Sequence, residues 1–395
     1  MKKLITLLLA LAMILSLVAC GAKDDGGKAN AADTILVGCY MPMTGPTAAA
    51  GLDQLNGVKM AIDAVNAAGG INGKQIELKA YDDTGTSEGA VKAATRLIEE
   101  DGVKIIIGSS TSGNILAVSS VTEAAKVTQV GTGTGATWTN IGLSYTYRAT
   151  ANATLPIQTM ATQITDFGYT KVALLSVLSE FGQSGHDDIV KACDANGIEV
   201  IADIQFQSNE TDFSGPITNA LAAEPEAVIV YGVGYEEAMV TKQLRQNGYN
   251  GLIFTTEGAT DAQMLNTAGA TSNGVVFAAT YVVPASPEEG ATEMIREVLA
   301  DCVETYGAMP YCDQFYRGYD QAKLVIEALS NSADVESGEA NMEAFRSISG
   351  VILLGGEFDF TAGTGDGLSQ TSKWMILDGK IQEYDQAALD AFLAG

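Results

Sequence analysis

Four hydroxyl residues stand in a row at Ser109, Ser110, Thr111 and Ser112, and their setting gives them chemistry. Before them, Val103 and Ile105 to Ile107, with Lys104 between, form a β-branched run that reads as a strand buried on both faces of a parallel sheet. Gly108 then lets the chain turn. After the hydroxyls, Ile115, Leu116, Val118 and Val121 recur at helical spacing from Gly113 onward. Free backbone N–H groups, the positive end of a helix dipole and several hydroxyls therefore converge, which suits a carboxylate or another small anion. The same hydroxyls would serve equally as the N-cap of an ordinary crossover helix.

Other chemistry is faint. Gly131-Thr-Gly-Thr-Gly135 suggests a dinucleotide fingerprint, but its spacing is GxGxG and no clear amphipathic helix follows. There is no GxxxxGK[ST] phosphate loop, no GxSxG elbow and no HExxH. The single histidine, His186, sits beside Asp187 and Asp188 at an expected helix start, a solvated surface setting. Cys39, Cys193, Cys302 and Cys312 form no CxxC and no Cys/His cluster, so neither a zinc site nor a cofactor is expected. Export would permit a Cys302 to Cys312 disulfide without requiring one. Carboxylates are abundant, yet no acid/base pair stands out.

The elements that must position these residues begin after an export signal. Residues 1–19 combine the basic Lys2 and Lys3 with an apolar stretch too short for a membrane span, ending in Leu17-Val18-Ala19-Cys20-Gly21. That sequence resembles the lipobox of a bacterial lipoprotein, in which Cys20 carries the lipid, and 20–33 read as a flexible tether. The expected location is extracytoplasmic, anchored to the cell membrane. About 360 residues remain, enough for two cores. The net charge of −26 argues against nucleic acid, which requires basic patches.

Strands and helices alternate through most of the chain. The pattern predicts strands at 34–40, 75–81 and 103–107 and helices at 53–68 and 87–100, then the same rhythm again from 171 to 255. Two such runs imply two doubly wound lobes. The segments 145–150, 275–283 and 351–360 read as three crossings between them, with long helical patterns at 287–306 and 312–330 completing the first lobe. The expected lobes are 34–152 with 283–352, and 153–282 with 353–395. Ligands of such sheets bind outside the carboxyl ends of the strands, which here means the interlobe cleft.

Pro42-Met-Thr-Gly-Pro46, Asn66-Ala-Ala-Gly-Gly-Ile-Asn-Gly73, Tyr81-Asp-Asp83, Ile107-Gly108 with Ser112, Gly135-Ala-Thr137, Tyr147-Arg148 and Glu257-Gly258 occur in the order and spacing of the leucine/isoleucine/valine-binding proteins of ABC importers. The chain resembles that family over residues 34–360. The resemblance implies the type I periplasmic binding protein fold, two Rossmann-like lobes on a three-crossing hinge, and a binding protein, not an enzyme. It also implies capture of a free amino acid and its delivery to a permease driven by a separate ATPase. Carried over by position, the family's carboxylate-binding loop falls on Ser112, its second hydroxyl on Thr137, and adjacent backbone groups on Gly135 or Ala136. Its ammonium-facing acid falls on Glu257 and its second-lobe aromatic on Tyr235. The chain departs from the family where Ala50-Gly51 and Phe181-Gly182 replace Tyr-Gly pairs, which enlarges the side-chain pocket and removes a hydroxyl. An apolar ligand, branched-chain first, is expected. Aromatic acids, amides and other small carboxylates, a sensor subunit, and an extracytoplasmic enzyme on the same fold are the alternatives.

Overall fold

The computed structural model describes residues 34–394 apart from Asn140, Asn209 and Asp261; the expected signal peptide, Cys20 and tether lie outside the described residues. β1 (Thr34–Met41) shows how the sequence builds the layers, because its side chains alternate with the period of two that any strand imposes. Val37, Cys39 and Met41 enter one core with Leu55, Val58 and Ile62 of α1 (Ala48–Ala67), while Tyr40 enters another with Ala90, Ala94 and Leu97 of α2 (Ser87–Glu99). β3 (Ile105–Ile107) repeats the pattern, Ile105 and Ile107 facing the first core and Ile106 the second. Each such side chain taken wholly from water contributes about 1.5–3 kcal/mol.

The first sheet also contains β2 (Gln75–Asp82), β4 (Thr128–Gly131), β5 (Thr146–Ala151), β11 (Val351–Leu353), β12 (Gly356–Phe358) and β13 (Asp366–Leu368), in the order β11-β12-β13-β5-β4-β3-β1-β2. Strands β1, β3, β4 and β5 pair in parallel, each with its neighbour. The second sheet runs β15 (Lys380–Glu383), β14 (Ser372–Leu377), β10 (Val275–Ala279), β9 (Ile253–Thr255), β8 (Ala227–Tyr231), β6 (Lys171–Leu178), β7 (Glu199–Gln207). Helices cover both sheets. α3 (Ser112–Ala125), α9 (Glu293–Tyr306), α10 (Gln314–Asn331) and α11 (Gly338–Arg346) belong with the first, and α4 (Thr154–Asp166), α5 (Glu180–Ala195), α6 (Ser214–Leu221), α7 (Gly234–Gln246), α8 (Ala262–Ala268) and α12 (Gln386–Leu393) with the second. No described helix is long and apolar enough to cross a membrane.

The lobe boundary expected at 353 is corrected by the sheet pairing. β13 pairs in parallel with β5, Asp366 opposite Arg148 and Leu368 opposite Ala151, and β11 and β12 extend the same sheet. Residues 353–368 therefore belong to the first sheet, and the return to the second falls between Leu368 and Ser372. The cause is burial: Leu353, Phe358, Phe360 and Leu368 join the first-sheet core, where Phe360 packs on Phe345 and Tyr147. Three-residue strands in a Gly-rich stretch carry too little pattern to show which sheet they join.

Two buried charges hold the crossings together. Arg148 of β5 donates to Asp366 Oδ1 at 2.8 Å, joining the first crossing to β13. Asp320 of α10 accepts from Tyr281 Oη (2.9 Å) beyond β10 and from the N–H groups of Leu354 (3.0 Å) and Gly355 (2.8 Å) before β12; burial pushes its carboxyl up to about 7. α10 also lies tightly on α1. A Cβ added to Gly57 would fall 2.0 Å from the Phe315 carbonyl oxygen, and one on Gly318 2.1 Å from that of Gln54, so glycine is required on both helices. Cys302 and Cys312, though close in sequence, are both buried and are not joined by a disulfide.

Candidate functional site

The hydroxyl loop folds as a brace and a corner. Ser109 Oγ donates to Asp83 Oδ2 at 2.7 Å, and Asn114 Nδ2 reaches the same oxygen at 3.1 Å, so Asp83 fixes both sides of the loop. Asp82 does likewise for the loop after β1, accepting from the N–H of Met43 (2.8 Å) and the hydroxyl of Thr44 (2.6 Å). Thr111 occupies the N-cap position of α3 without a side-chain cap bond, leaving Ser112 as the first helical residue. Ser112 is buried, and its Oγ accepts from the Gly135 N–H at 3.1 Å. Its hydroxyl is therefore not a cap; it joins the helix start to the 131–135 loop.

That loop is fixed from behind. The Arg148 guanidinium lies 4.1 Å from the Trp138 ring centroid and donates to the carbonyl oxygens of Gly133 and Gly135 and to Thr139 Oγ1. In front, the backbone of Gly133 presses on Ser112: an added Cβ would lie 2.7 Å from Ser112 Oγ and 2.8 Å from its nitrogen. The GTGTG segment is thus a wall that only a residue without a side chain allows at this point.

The second lobe meets this corner through β6-α5 and the end of β9. Ser184 Oγ accepts from the Ala136 N–H at 3.2 Å. Glu180, at the start of α5, accepts from the hydroxyl of Thr137. Glu257, following β9, forms an ion pair through Oε2 with Arg317 of α10 at 3.4 Å, and the neighbouring Thr134 side chain helps to hold its carboxyl down. Arg317 is also held by Asp313, whose Oδ2 lies 2.6 Å from Nη2. Burial raises the Glu257 carboxyl above its ordinary range, and the Arg317 charge opposes that shift. Glu257 Oε1, Glu180 Oε2 and Tyr231 Oη are buried without a hydrogen-bond partner among the described residues. Burial raises the Tyr231 phenol as well, assisted by the charges of Glu257, Glu237, Asp188 and Glu180. The corner offers a hydroxyl and a helix N-terminus to an anion, and Glu257 offers an acceptor to a cation.

Of the predicted residues, Ser112, Gly135, Ala136 and Glu257 lie along this junction. Thr137 is exposed and its hydroxyl goes to Glu180, whereas the buried Thr134 is the hydroxyl beside Glu257. Phe181 stacks on Tyr231 with centroids 4.7 Å apart and packs against the second-lobe cores. Tyr235, 39% exposed, shares no hydrogen bond or ring stacking with Ser112, Thr134 or Glu257 among the described residues. Glu180, Ser184, Tyr231 and Arg317 had no sequence-level assignment; the Asp313/Arg317 spacing of four was the one local signal for any of them. His186 bridges Asp187 and Asp203. Among the described residues no group of His, Cys, Asp and Glu is placed to hold a metal. A groove of about 740 Å³ on the hinge, beside Asn152, Asp359, Asp366 and Gln370, holds none of the predicted residues.

Comparison with known proteins places the chain. It is 29% identical over 323 residues to "Leu/Ile/Val-binding protein homolog 3" of Brucella melitensis, covering 81% of this chain and 86% of the relative. The branched-chain amino acid transporter substrate-binding protein LivJ of Streptococcus pneumoniae, solved with isoleucine, has the same fold with a TM-score of 0.79 at 22% identity, covering 88% of this chain and 98% of LivJ. A solute-binding protein of R. palustris in complex with benzoate has a TM-score of 0.79 at 17% identity, covering 88% and 95%. The sequence description of the periplasmic binding protein family matches residues 34–376, and with the two helix-covered sheets this shows that the chain belongs to that family, in the type I fold of the leucine/isoleucine/valine-binding proteins.

Proposed function

We propose that this protein is the extracytoplasmic substrate-binding component of an ABC importer and captures a free amino acid between its lobes, returning it unchanged to a permease driven by a separate ATPase. One observation carries the reading. The first lobe supplies an anion corner at Ser112 and the start of α3, and the second lobe brings Glu257 to the same junction with Oε1 buried and unpartnered. An α-carboxylate at the first and an α-ammonium at the second would satisfy both, and only with the lobes together. Aliphatic side chains rank first, branched-chain among them, consistent with the relatives' names. Benzoate in a neighbour of the same fold shows that the fold alone does not select the ligand; Glu257 is what favours an ammonium here. Cys20 would tether the protein to the cell membrane by a lipid.

A thermal-shift screen of the twenty amino acids, with urea, short amides and benzoate alongside, tests the class. A ligand at 100 times its dissociation constant stabilises by about 2.7 kcal/mol. Calorimetry on Glu257→Gln then tests the ammonium contact, with an expected loss of about 2–5 kcal/mol in affinity. If the variant binds the best amino acid as tightly as the parent, the ammonium reading is wrong and amides or aromatic acids replace it.

A further inference from the structure

Glu180 reaches out of its own lobe. Ser179 caps α5 by accepting from the Gly182 N–H at 2.9 Å, which fixes the backbone at Glu180. From there the side chain passes Gly113, whose added Cβ would lie 3.9 Å from Glu180 Cβ. The carboxylate ends against the first lobe: Oε1 accepts from Thr137, and Oε2 is buried without a partner. A Cβ added to Gly135 would meet Ser112 Oγ at 3.0 Å and Glu180 Oε2 at 3.2 Å, so the serine hydroxyl and the glutamate oxygen flank one face of one residue. A carboxylate of the protein itself thus stands at the corner that the proposed function gives to the ligand's carboxylate.

We propose that Glu180 is a specificity-determining residue, an internal carboxylate that contests the Ser112 corner with the carboxylate of the ligand. The inference rests on the reading of the cleft as an amino-acid site. Ser112 Oγ already accepts the Gly135 N–H, so the corner has one hydroxyl proton to offer, and two carboxylates there repel in a setting that excludes water. A ligand carboxylate enters as Glu180 leaves, and that departure breaks the Thr137 contact between the lobes. Glu180 thereby sets a threshold: a ligand must gain enough from its carboxylate and ammonium contacts to displace it. A ligand without a carboxylate meets no such competition. If Glu180 instead accepted a hydrogen bond from the ligand, neutralising it would have the opposite effect.

The test compares the parent, Glu180→Gln and Thr137→Val, each first checked for an unchanged melting temperature without ligand. The probes are the twenty amino acids, screened by thermal shift, and then the tightest of them and its carboxamide by calorimetry. Glu180→Gln keeps the shape and the Thr137 acceptor but removes the charge. It should tighten the amino acid by about tenfold or more and leave its carboxamide nearly unchanged. Thr137→Val, which releases the carboxylate from its anchor, should shift affinity in the same direction by less. Weaker or equal binding of the amino acid by Glu180→Gln overturns the proposal while leaving the amino-acid site intact. If neither the parent nor the variant binds any of the twenty, the reading of the cleft fails first and this inference with it.

Discussion

Arg317 stands between two carboxylates contributed by different lobes, and Arg317→Met removes the cation while keeping an apolar stem. At an effective dielectric of about 20, unit charges 3.4 Å apart attract by about 5 kcal/mol, and Asp313 at 2.6 Å attracts more strongly still. Much of that gain is offset by desolvation, since the side chains of Arg317, Glu257 and Asp313 are 4%, 10% and 8% exposed. What remains visible on removing one member of a buried ion network is about 3–5 kcal/mol, so Arg317→Met should lose that much stability. Glu257→Gln leaves the Arg317–Asp313 pair in place and should lose less, about 1.5–3 kcal/mol. The double variant should fall short of the sum by about 1–3 kcal/mol, because both substitutions delete the same contact. Urea unfolding of the four proteins at pH 7 gives the coupling energy. Since Glu257 follows β9 and Arg317 lies on α10, that coupling is a lobe-to-lobe energy, and small-angle scattering should find Arg317→Met more open than the parent. A coupling below about 0.5 kcal/mol would refute the claim that this ion pair joins the lobes.

Ser112→Ala should weaken amino-acid binding by about 1–3 kcal/mol by calorimetry, and it should also lower the melting temperature, because the Gly135 N–H loses its acceptor. Gly133→Ala should disrupt the same corner more severely, since the new methyl would sit 2.8 Å from the Ser112 nitrogen; about 1–3 kcal/mol of stability and most of the affinity should go, and a variant that binds normally would show the wall to be pliable. Glu237, fully buried, has its carboxyl pushed up from 4.5 to about 8, chiefly by burial. A raised folded-state value means that the native protein holds this proton more tightly than the unfolded chain. Its contribution is therefore complete below about 4.5 and is lost as pH rises through about 8, with a ceiling of about 5 kcal/mol. Urea midpoints between pH 5 and 8 should fall less steeply with pH in Glu237→Gln than in the parent, and equal slopes would reject the assignment.

Much of the architecture was legible because strands and helices carry their own period. The β-branched run at 105–107, the glycine turn and the helix from 112 reproduce the pattern that the residues suggest. Helix starts were less legible. α5 begins at Glu180, well before the helix start expected beside His186, because Gly182 and Gly185 are not breakers here. A Cβ on Gly182 would fall 1.7 Å from the Val177 carbonyl oxygen and one on Gly185 2.0 Å from the Tyr231 ring, so close packing, not a turn, requires them. The cleft was half legible. Ser112 stood out from its hydroxyl loop between a strand and a helix, and Glu257 came only with the resemblance to the binding-protein family, whereas Thr134 lay inside a segment set aside for its dinucleotide-like spacing. Glu180 and Arg317 act across the cleft on residues far away in sequence, such as Thr137 and Glu257, and nothing local marks that kind of contact.

The corrected third crossing bears directly on the site. With β13 in the first sheet, Asp366 comes to lie opposite Arg148, and the same guanidinium that it anchors also holds the Gly133 and Gly135 carbonyls. Those glycines in turn seat Ser112. The Ser112 corner is thus built from one continuous network running from the hinge through Arg148 to the start of α3, all within the first lobe. The second lobe reaches that network through separate side chains, Glu180, Ser184 and Glu257. A network fixed at the hinge changes shape with difficulty, while individual cross-lobe contacts exchange one at a time. On the proposed amino-acid reading, closure would be governed from the second-lobe side, by which of those side chains stay on the corner and which give way to ligand.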